Sequence, residues 1–289
     1  MRVAIASGKG GTGKTTVAVS LALSLAEYHP LLLDCDVEEP NAALFLRPAF
    51  TAQREVGQWV PVVNPAVCTG CGRCAEVCEY HAITVVGKQV FIFPELCHGC
   101  GSCSRQCPVG ALHEDLDVIG SLDQGQAEQI TFFQGTLNVG EAMAVPVIRQ
   151  LKQWGLQSNV HQAQPVILDA PPGASCPVVE TLRGADAVLL VTEPTPFGLH
   201  DLRVAVEVVR EMETARGTSL PVAVVVNRDG AGDSGVDAFC AAEGIPILMR
   251  IPLERGIAEG IAQGKTLIDI YPEYGAQFAQ LWQELVALR

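Results

Sequence analysis

The stretch Gly8-Lys9-Gly10-Gly11-Thr12-Gly13-Lys14-Thr15 restricts the fold of this chain more than any other. It follows the apolar run Val3–Ser7 and opens a run of helical character from Lys14 to about Glu27. The apolar run reads as a parallel strand, since a strand buried on both faces needs no polar alternation. Glycines let consecutive backbone N–H groups turn inward, and the N-terminus of the following helix adds positive dipole. Such a loop cradles phosphate. The pattern G-x-x-x-x-G-K-[ST] between strand and helix brings Lys14 to the β- and γ-phosphates and the Thr15 hydroxyl to Mg2+. Leu31-Leu32-Leu33-Asp34-Cys35-Asp36 then reads as a second buried strand ending in acids, which completes a βαβ unit.

That rhythm stops near Pro61. From there to about Asp117 the chain is dense in cysteine, with short alternating runs Ala82–Val86 and Gln89–Phe93 around Gly87-Lys88 that read as a hairpin. The α/β rhythm then returns. A helix is expected over Gly140–Trp154, with strands at Pro165–Asp169 and Ala187–Thr192 and a helix near Leu199–Met212. Strands at Pro221–Asn227 and Ile245–Met249 and a last helix from about Glu273 to Leu288 complete the set. The expected architecture is α/β, a mostly parallel sheet flanked by helices. It is built from residues 1–60 and 118–289, with a small α+β unit inserted at 61–117.

Eight of the eleven cysteines lie in that insert, in two groups. Cys68-x2-Cys71-x2-Cys74-x3-Cys78 is followed by Cys97-x2-Cys100-x2-Cys103-x3-Cys107-Pro108. This is the spacing of bacterial ferredoxins with two 4Fe–4S clusters, in which the fourth cysteine of a run serves the other cluster. It assigns Cys68, Cys71, Cys74 and Cys107 to one cluster, and Cys97, Cys100, Cys103 and Cys78 to the other. Glu79 stands where the first run would carry proline. Zinc sites use two separated C-x2-C pairs, not three cysteines in a row with a fourth. His98, Ser102 and Tyr80 lie beside the ligands as packing groups, and His29, His113, His161 and His200 have no ligand-like spacing.

The chain carries 19 Lys and Arg against 32 Asp and Glu, a formal charge of −13. That balance argues against general nucleic-acid binding and against docking on anionic lipid. No apolar run approaches the roughly 20 residues of a membrane span, and the N-terminus lacks the order of a signal peptide. A cytoplasmic protein without membrane insertion is expected, in which thiols stay reduced.

The string from Lys9 to Thr16 resembles the deviant Walker A motif of the MinD/ParA/nitrogenase-iron-protein class of P-loop ATPases, the SIMIBI type. The resemblance implies an ATP-dependent sandwich homodimer in which Lys9 reaches the partner's phosphates. Gly8, Gly10, Gly11, Thr12, Gly13, Lys14, Thr15 and Thr16 would hold ATP and Mg2+. Asp34-Cys35-Asp36, with Pro40-Asn41 after it, resembles switch I; there Asp36 would orient or activate the attacking water, and Asp34 and Asp36 would belong to the Mg2+ shell. Ile167-Leu168-Asp169-Ala170-Pro171-Pro172-Gly173 resembles Walker B and switch II. Asp169 would bind Mg2+ through water, and the Gly173 amide would sense the γ-phosphate. Asn227 resembles the strand-end asparagine that reads adenine, and Pro252 and Glu254 lie in the comparable base-flanking segment. Gly135–Glu141 also falls in the family's order. Taken over its length, the chain resembles a MinD-superfamily ATPase with an inserted two-cluster ferredoxin domain.

A ferredoxin insert directly after switch I would let its orientation or partner access follow the nucleotide cycle, so ATP-gated electron transfer with an unidentified redox or iron–sulfur client protein is the leading expectation. A second reading is an iron–sulfur cluster carrier. Carriers of this superfamily hold a labile cluster through a late C-x-x-C pair, whereas only Cys240 follows Cys176 here. A third is a MinD-type positioning ATPase, which needs a basic amphipathic C-terminal helix. The closing helix here, with Phe278, Leu281, Trp282, Leu285 and Val286 on its apolar side, ends with a single basic residue and is expected to pack on the core. Cys176 follows Asp169 at the offset of the cluster-bridging cysteine of nitrogenase iron proteins. The second ligand has no counterpart near Gln134–Gly140, so Cys176 reads as a structural or redox-sensitive residue.

Overall fold

The computed structural model describes residues 1–158 and 164–288; His161 lies outside the described residues. Strand β1 (Arg2–Ala6) and helix α1 (Lys14–Ser24) flank the glycine loop, followed by β2 (Leu31–Asp34) and α2 (Ala42–Leu46). A long strand, β3 (Ala49–Val63), leads into the cysteine-rich segment, which holds α3 (Arg73–Glu76), the hairpin β4 (Ile83–Val86) and β5 (Gln89–Ile92), and α4 (Ser102–Arg105). The chain returns along β6 (Leu112–Ala127) and β7 (Ile130–Leu137). Then come α5 (Val145–Ser158), β8 (Val166–Asp169), α6 (Cys176–Leu182), β9 (Ala187–Thr192) and α7 (Pro196–Arg216). The last elements are β10 (Val222–Asp229), α8 (Gly235–Glu243), β11 (Ile247–Pro252), α9 (Arg255–Ala262), α10 (Leu267–Ile270) and α11 (Tyr274–Ala287).

The main sheet has the order β11-β10-β9-β1-β8-β2-β7-β6-β3. Every pairing from β11 to β7 is parallel, and only β7–β6 and β6–β3 are antiparallel. Alternate side chains of the parallel strands feed two cores. Ala4, Leu31, Leu33 and Phe133 face the side covered by α5, α6, α7 and α8. Val3, Ile5, Leu32 and Phe132 face the side covered by α1, α9, α10 and α11. Burial on both faces explains why these strands read as continuous apolar runs.

Two differences from the sequence expectation stand out. The boundaries expected at 60/61 and 117/118 fall inside β3 and β6, which pair from Ala49↔Gln126 out to Val63↔Leu112 with register shifts at Phe50/Ala52 and Val56/Gly57. The helix expected from Gly140 starts at Val145. Gly140 has φ +94°, and Pro146 suits a first helical turn, where its missing N–H is not needed. Helix α11 packs Tyr274, Phe278, Leu281 and Leu285 into the core, as expected for a helix that serves the fold. No helix among the described residues is long and apolar enough to cross a membrane.

Candidate nucleotide and thiolate sites

The parallel strands end on one edge of the sheet, where open α/β sheets place their ligand crevice. A cleft of about 460 Å3 opens there, lined by Lys14, Thr15, Thr16, Asp36, Asn227 and Glu254, with Gly10, Gly11, Gly13 and Pro252 also on its wall. Gly11 and Gly13 have φ of +76° and +94°, a backbone region open to glycine at little cost. Gly13 caps α1, and the Val17 N–H donates to its carbonyl at 3.0 Å.

Lys14 is buried and faces the carboxyls of Asp169, Asp36 and Asp34. Burial lowers its ammonium from the ordinary value, against the pull of those acids. Burial likewise pushes the Asp34 carboxyl up to about 7 and that of Asp36 up to about 6. Asp169 is fully buried, and among the described residues neither carboxylate oxygen closes a hydrogen bond. Its carboxyl is held well above the usual range, by burial first and by Asp34 second. Two orphaned buried oxygens beside Thr15 and Asp36 fit a hard cation such as Mg2+.

Asp34 is placed differently. Its Oδ1 accepts from the Asp36 N–H at 3.1 Å, and its Oδ2 accepts from Asn41 and Ala42 N–H at 3.0 Å each. It therefore folds the 35–42 loop, while Asp169 keeps the open acceptors. The Gly173 N–H donates to the Ser7 carbonyl at 3.0 Å, so a γ-phosphate has to displace that bond to reach it. The Asn227 amide donates to the Thr12 carbonyl at 2.7 Å and tethers the glycine loop to β10. Glu254 accepts from the Tyr271 hydroxyl at 2.6 Å. Lys9 pairs with Glu193 at 3.3 Å, and Glu193 also holds Arg228 at 2.6 Å.

Glu193 and Arg228 went unassigned in the sequence reading, although Glu193 follows the last residue of β9 and strand-end acids mark the crevice. Ile257 and Ile261, one turn apart on α9, supply an apolar wall of the cleft and were missed as well.

The raised Asp34 carboxyl makes a pH prediction. Between the ordinary carboxyl value and about 7 the folded chain holds a proton that the unfolded chain releases. This contribution to stability is lost as pH rises through the folded value. In metal- and nucleotide-free protein, the melting temperature of wild type should fall more steeply from pH 5 to 8 than that of Asp34→Asn. Parallel curves would contradict the assignment.

In the cysteine-rich segment, one crevice is lined by Cys68, Cys71, Cys74 and Cys107, and a second by Cys78, Cys97, Cys100 and Cys103. The Gly99 N–H points to Cys97 Sγ at 3.4 Å and the Ala111 N–H to Cys107 Sγ at 3.2 Å. Burial acts to raise the Cys107 thiol, but N–H groups of Val109, Ala111, Leu112 and Gly110 outweigh it and bring it below the ordinary value. Four thiols lining each crevice, one of them accepting a backbone N–H, fit an iron–sulfur cube, whose potential responds to such hydrogen bonds. No three His, Cys, Asp or Glu side chains among the described residues close around a single metal ion. Tyr80 stacks on His98 at 3.6 Å beside the second crevice. Cys35 and Cys240 are buried, and Cys176 is exposed at the start of α6.

A glycine loop on the central strand of an open parallel sheet, with acids on neighbouring strand ends, defines a P-loop ATPase fold. The chain belongs to the CobQ/CobB/MinD/ParA nucleotide-binding family, whose domain model matches residues 3–268. An uncharacterized protein of Methanocaldococcus jannaschii is 30% identical over 271 residues, covering 93% of this chain and 91% of that protein. The iron-sulfur cluster carrier protein of Pyrococcus horikoshii is 24% identical over 310 residues, covering 99% of this chain and 85% of the relative. Among solved structures, the cell division ATPase MinD of Pyrococcus furiosus aligns with a TM-score of 0.59 at 21% identity, covering 100% of this chain and 99% of that one. The septum site-determining protein MinD of Pyrococcus horikoshii, complexed with Mg-ADP, aligns at 0.57 and 20% identity, covering 98% and 94%.

Proposed function

We propose that this chain is an ATP-dependent homodimeric ATPase that carries two 4Fe–4S clusters on a ferredoxin-type insert and couples its nucleotide cycle to electron exchange with a protein partner. The observation that carries this reading is the sorting of eight thiols into two four-thiol crevices on a strand pair continuous with the nucleotide-binding sheet. When bound, such clusters supply one-electron chemistry. The chain's own residues do the rest. Lys14 and the loop amides hold the phosphates, Thr15 and Asp169 hold Mg2+, and Asp36 orients water. Gly173 exchanges its bond to Ser7 for the γ-phosphate, a segment rearrangement of the kind that nucleotide switches use.

The cluster-carrier reading is favoured by the relatives of that name and disfavoured by the cysteines. Of the two thiols after the Asp169 strand, Cys240 is 2% exposed and has no C-x-x-C partner. Anaerobically reconstituted protein decides between them. Electron exchange predicts about eight iron per chain, retained against a chelator and an apo-acceptor protein, and a cluster oxidation rate that changes with Mg·ATP. Transfer of iron to the acceptor with no nucleotide effect on oxidation would instead support the carrier.

A further inference from the structure

The two thiol sets are not equivalent in their attachment to the rest of the molecule. The pairing of β6 with β7 ends at Gly120↔Leu137, and beyond it β3 and β6 continue alone as a two-stranded stem. Gln58 lies near the base of this stem, opposite Asp117, and Val63 lies at its tip, opposite Leu112. At the rise of an extended strand the two are separated by about 17 Å. Trp59 and Pro61 line the crevice of Cys78, Cys97, Cys100 and Cys103, whereas the first stem residue at the Cys68, Cys71, Cys74 and Cys107 crevice is Val63. The second set is thus proximal to the nucleotide-binding sheet, and the first is distal.

One buried side chain makes the proximal attachment specific. Gln58 is 8% exposed, and its amide Nε2 donates to the Cys97 carbonyl. The 97–101 loop is pressed onto the stem at this point: a Cβ at Gly99 would meet the Trp59 carbonyl oxygen at 3.0 Å. The neighbouring Gly57 carbonyl accepts from Gln150 Nε2 on α5 at 3.2 Å. Helix α5 is in turn locked to α6. Arg149 pairs with Glu180 at 3.3 Å, and Lys152 Nζ donates to the carbonyls of Thr181 at 2.9 Å and Arg183 at 2.6 Å. Helix α6 begins directly after the Gly173 loop. A contiguous line of packed and hydrogen-bonded groups therefore runs from that loop through α6, α5 and residues 57–58 to the Cys97 backbone. Among the described residues, no comparable buried side-chain link reaches the distal set.

We propose that Gln58 is a positioning residue that ties the Cys78, Cys97, Cys100 and Cys103 set to the nucleotide-binding half of the chain, so that nucleotide state is felt at that set and not at the distal one. This rests on the two-cluster reading above. A coupling between two sites is reciprocal, so cluster oxidation state must change nucleotide affinity by the same factor that nucleotide changes the redox equilibrium.

The test is binding of a non-hydrolysable ATP analogue with Mg2+ to the full chain, reconstituted with iron and sulfide, in oxidised and dithionite-reduced forms. Wild type should show an affinity ratio of about five-fold or more between the two forms. Gln58→Leu should bring that ratio below about two-fold while iron content stays at about eight per chain. Cys100→Ala, lacking the proximal cluster, should also lose the ratio, and Cys71→Ala, lacking the distal one, should keep it. In wild type the analogue should alter the EPR signal that Cys100→Ala removes. Should Gln58→Leu fail to hold the proximal cluster, Gln150→Ala cuts the same line at Gly57 and should show the same collapse. A full ratio in whichever of these two variants holds both clusters, or a ratio lost in Cys71→Ala and kept in Cys100→Ala, overturns the proposal and leaves the two-cluster ATPase standing. A wild type with no redox dependence of nucleotide affinity overturns the coupled reading itself, and the role of Gln58 with it.

Discussion

Lys9→Ala is expected to lower ATP hydrolysis by about 10^3-fold or more and to abolish ATP-dependent dimerisation, with iron content and thermal stability nearly unchanged. The size follows from cationic groups supplied in trans to a transferring phosphoryl group. Within one chain Lys9 has no need to touch the phosphates, because the buried Lys14 already occupies the glycine loop. It is parked instead on Glu193 at 3.3 Å, with its side chain 34% exposed. Losing it leaves no orphaned charge, since Arg228 still holds Glu193 at 2.6 Å. A partly exposed ion pair of this kind is worth about 0–1 kcal/mol, so the fold should tolerate the change. Nucleotide binding to the monomer should also survive, unlike in Lys14→Ala. Steady-state ATPase rates and size-exclusion profiles with and without Mg·ATP provide the check. A rate within about ten-fold of wild type would sink the sandwich-dimer reading.

Much of this site was legible because its determinants are local. The glycine loop, the acids closing β2 and β8 and the cysteine spacings are each contained in a short stretch, and their backbone demands are written in residue type. Parts set by distant pairings were not. Residues 49–55 of β3 are exposed on both faces and carry no period-2 alternation, so nothing in TAQRE marks a strand. That segment is extended because β6 pairs with it from Ala49↔Gln126, through a register shift between Phe50 and Ala52. Gln58 was silent for the same reason: its partner, the Cys97 carbonyl, is 39 residues away. The Asp34 reading shows a different limit. Residue type identified a strand-end acid, but only the fold shows its oxygens already occupied by three backbone N–H groups.

On the two-cluster proposal, Cys107→Ala and Cys78→Ala should each remove a cluster from the other group's territory, and this crossing is the largest expected effect in the cysteine-rich segment. Cys107 belongs by sequence with Cys97, Cys100 and Cys103, yet it lines the crevice of Cys68, Cys71 and Cys74. Cys78 crosses in the opposite sense. Each single variant should therefore lose about four of about eight iron, Cys107→Ala sparing the proximal cluster and Cys78→Ala the distal one. Double variants sharpen the test, because a cluster already lost cannot be lost twice. Cys71→Ala with Cys107→Ala should match either single variant, whereas Cys100→Ala with Cys107→Ala should empty both sites. If grouping instead followed chain order, that second pair would leave about four iron in place. Because metal binding is coupled to folding, the clusters should also hold the insert together. Its apolar core is small, with Ile83 and Leu112 buried beside Cys74 and further cysteines packed around them. Loss of both clusters should therefore unfold the segment between Val63 and Leu112 while the nucleotide-binding sheet, with its two extensive cores, still melts cooperatively. Hydrogen exchange of the doubly depleted chain should show this as rapid exchange confined to the insert, and continued protection there would mean that the segment folds without its metal.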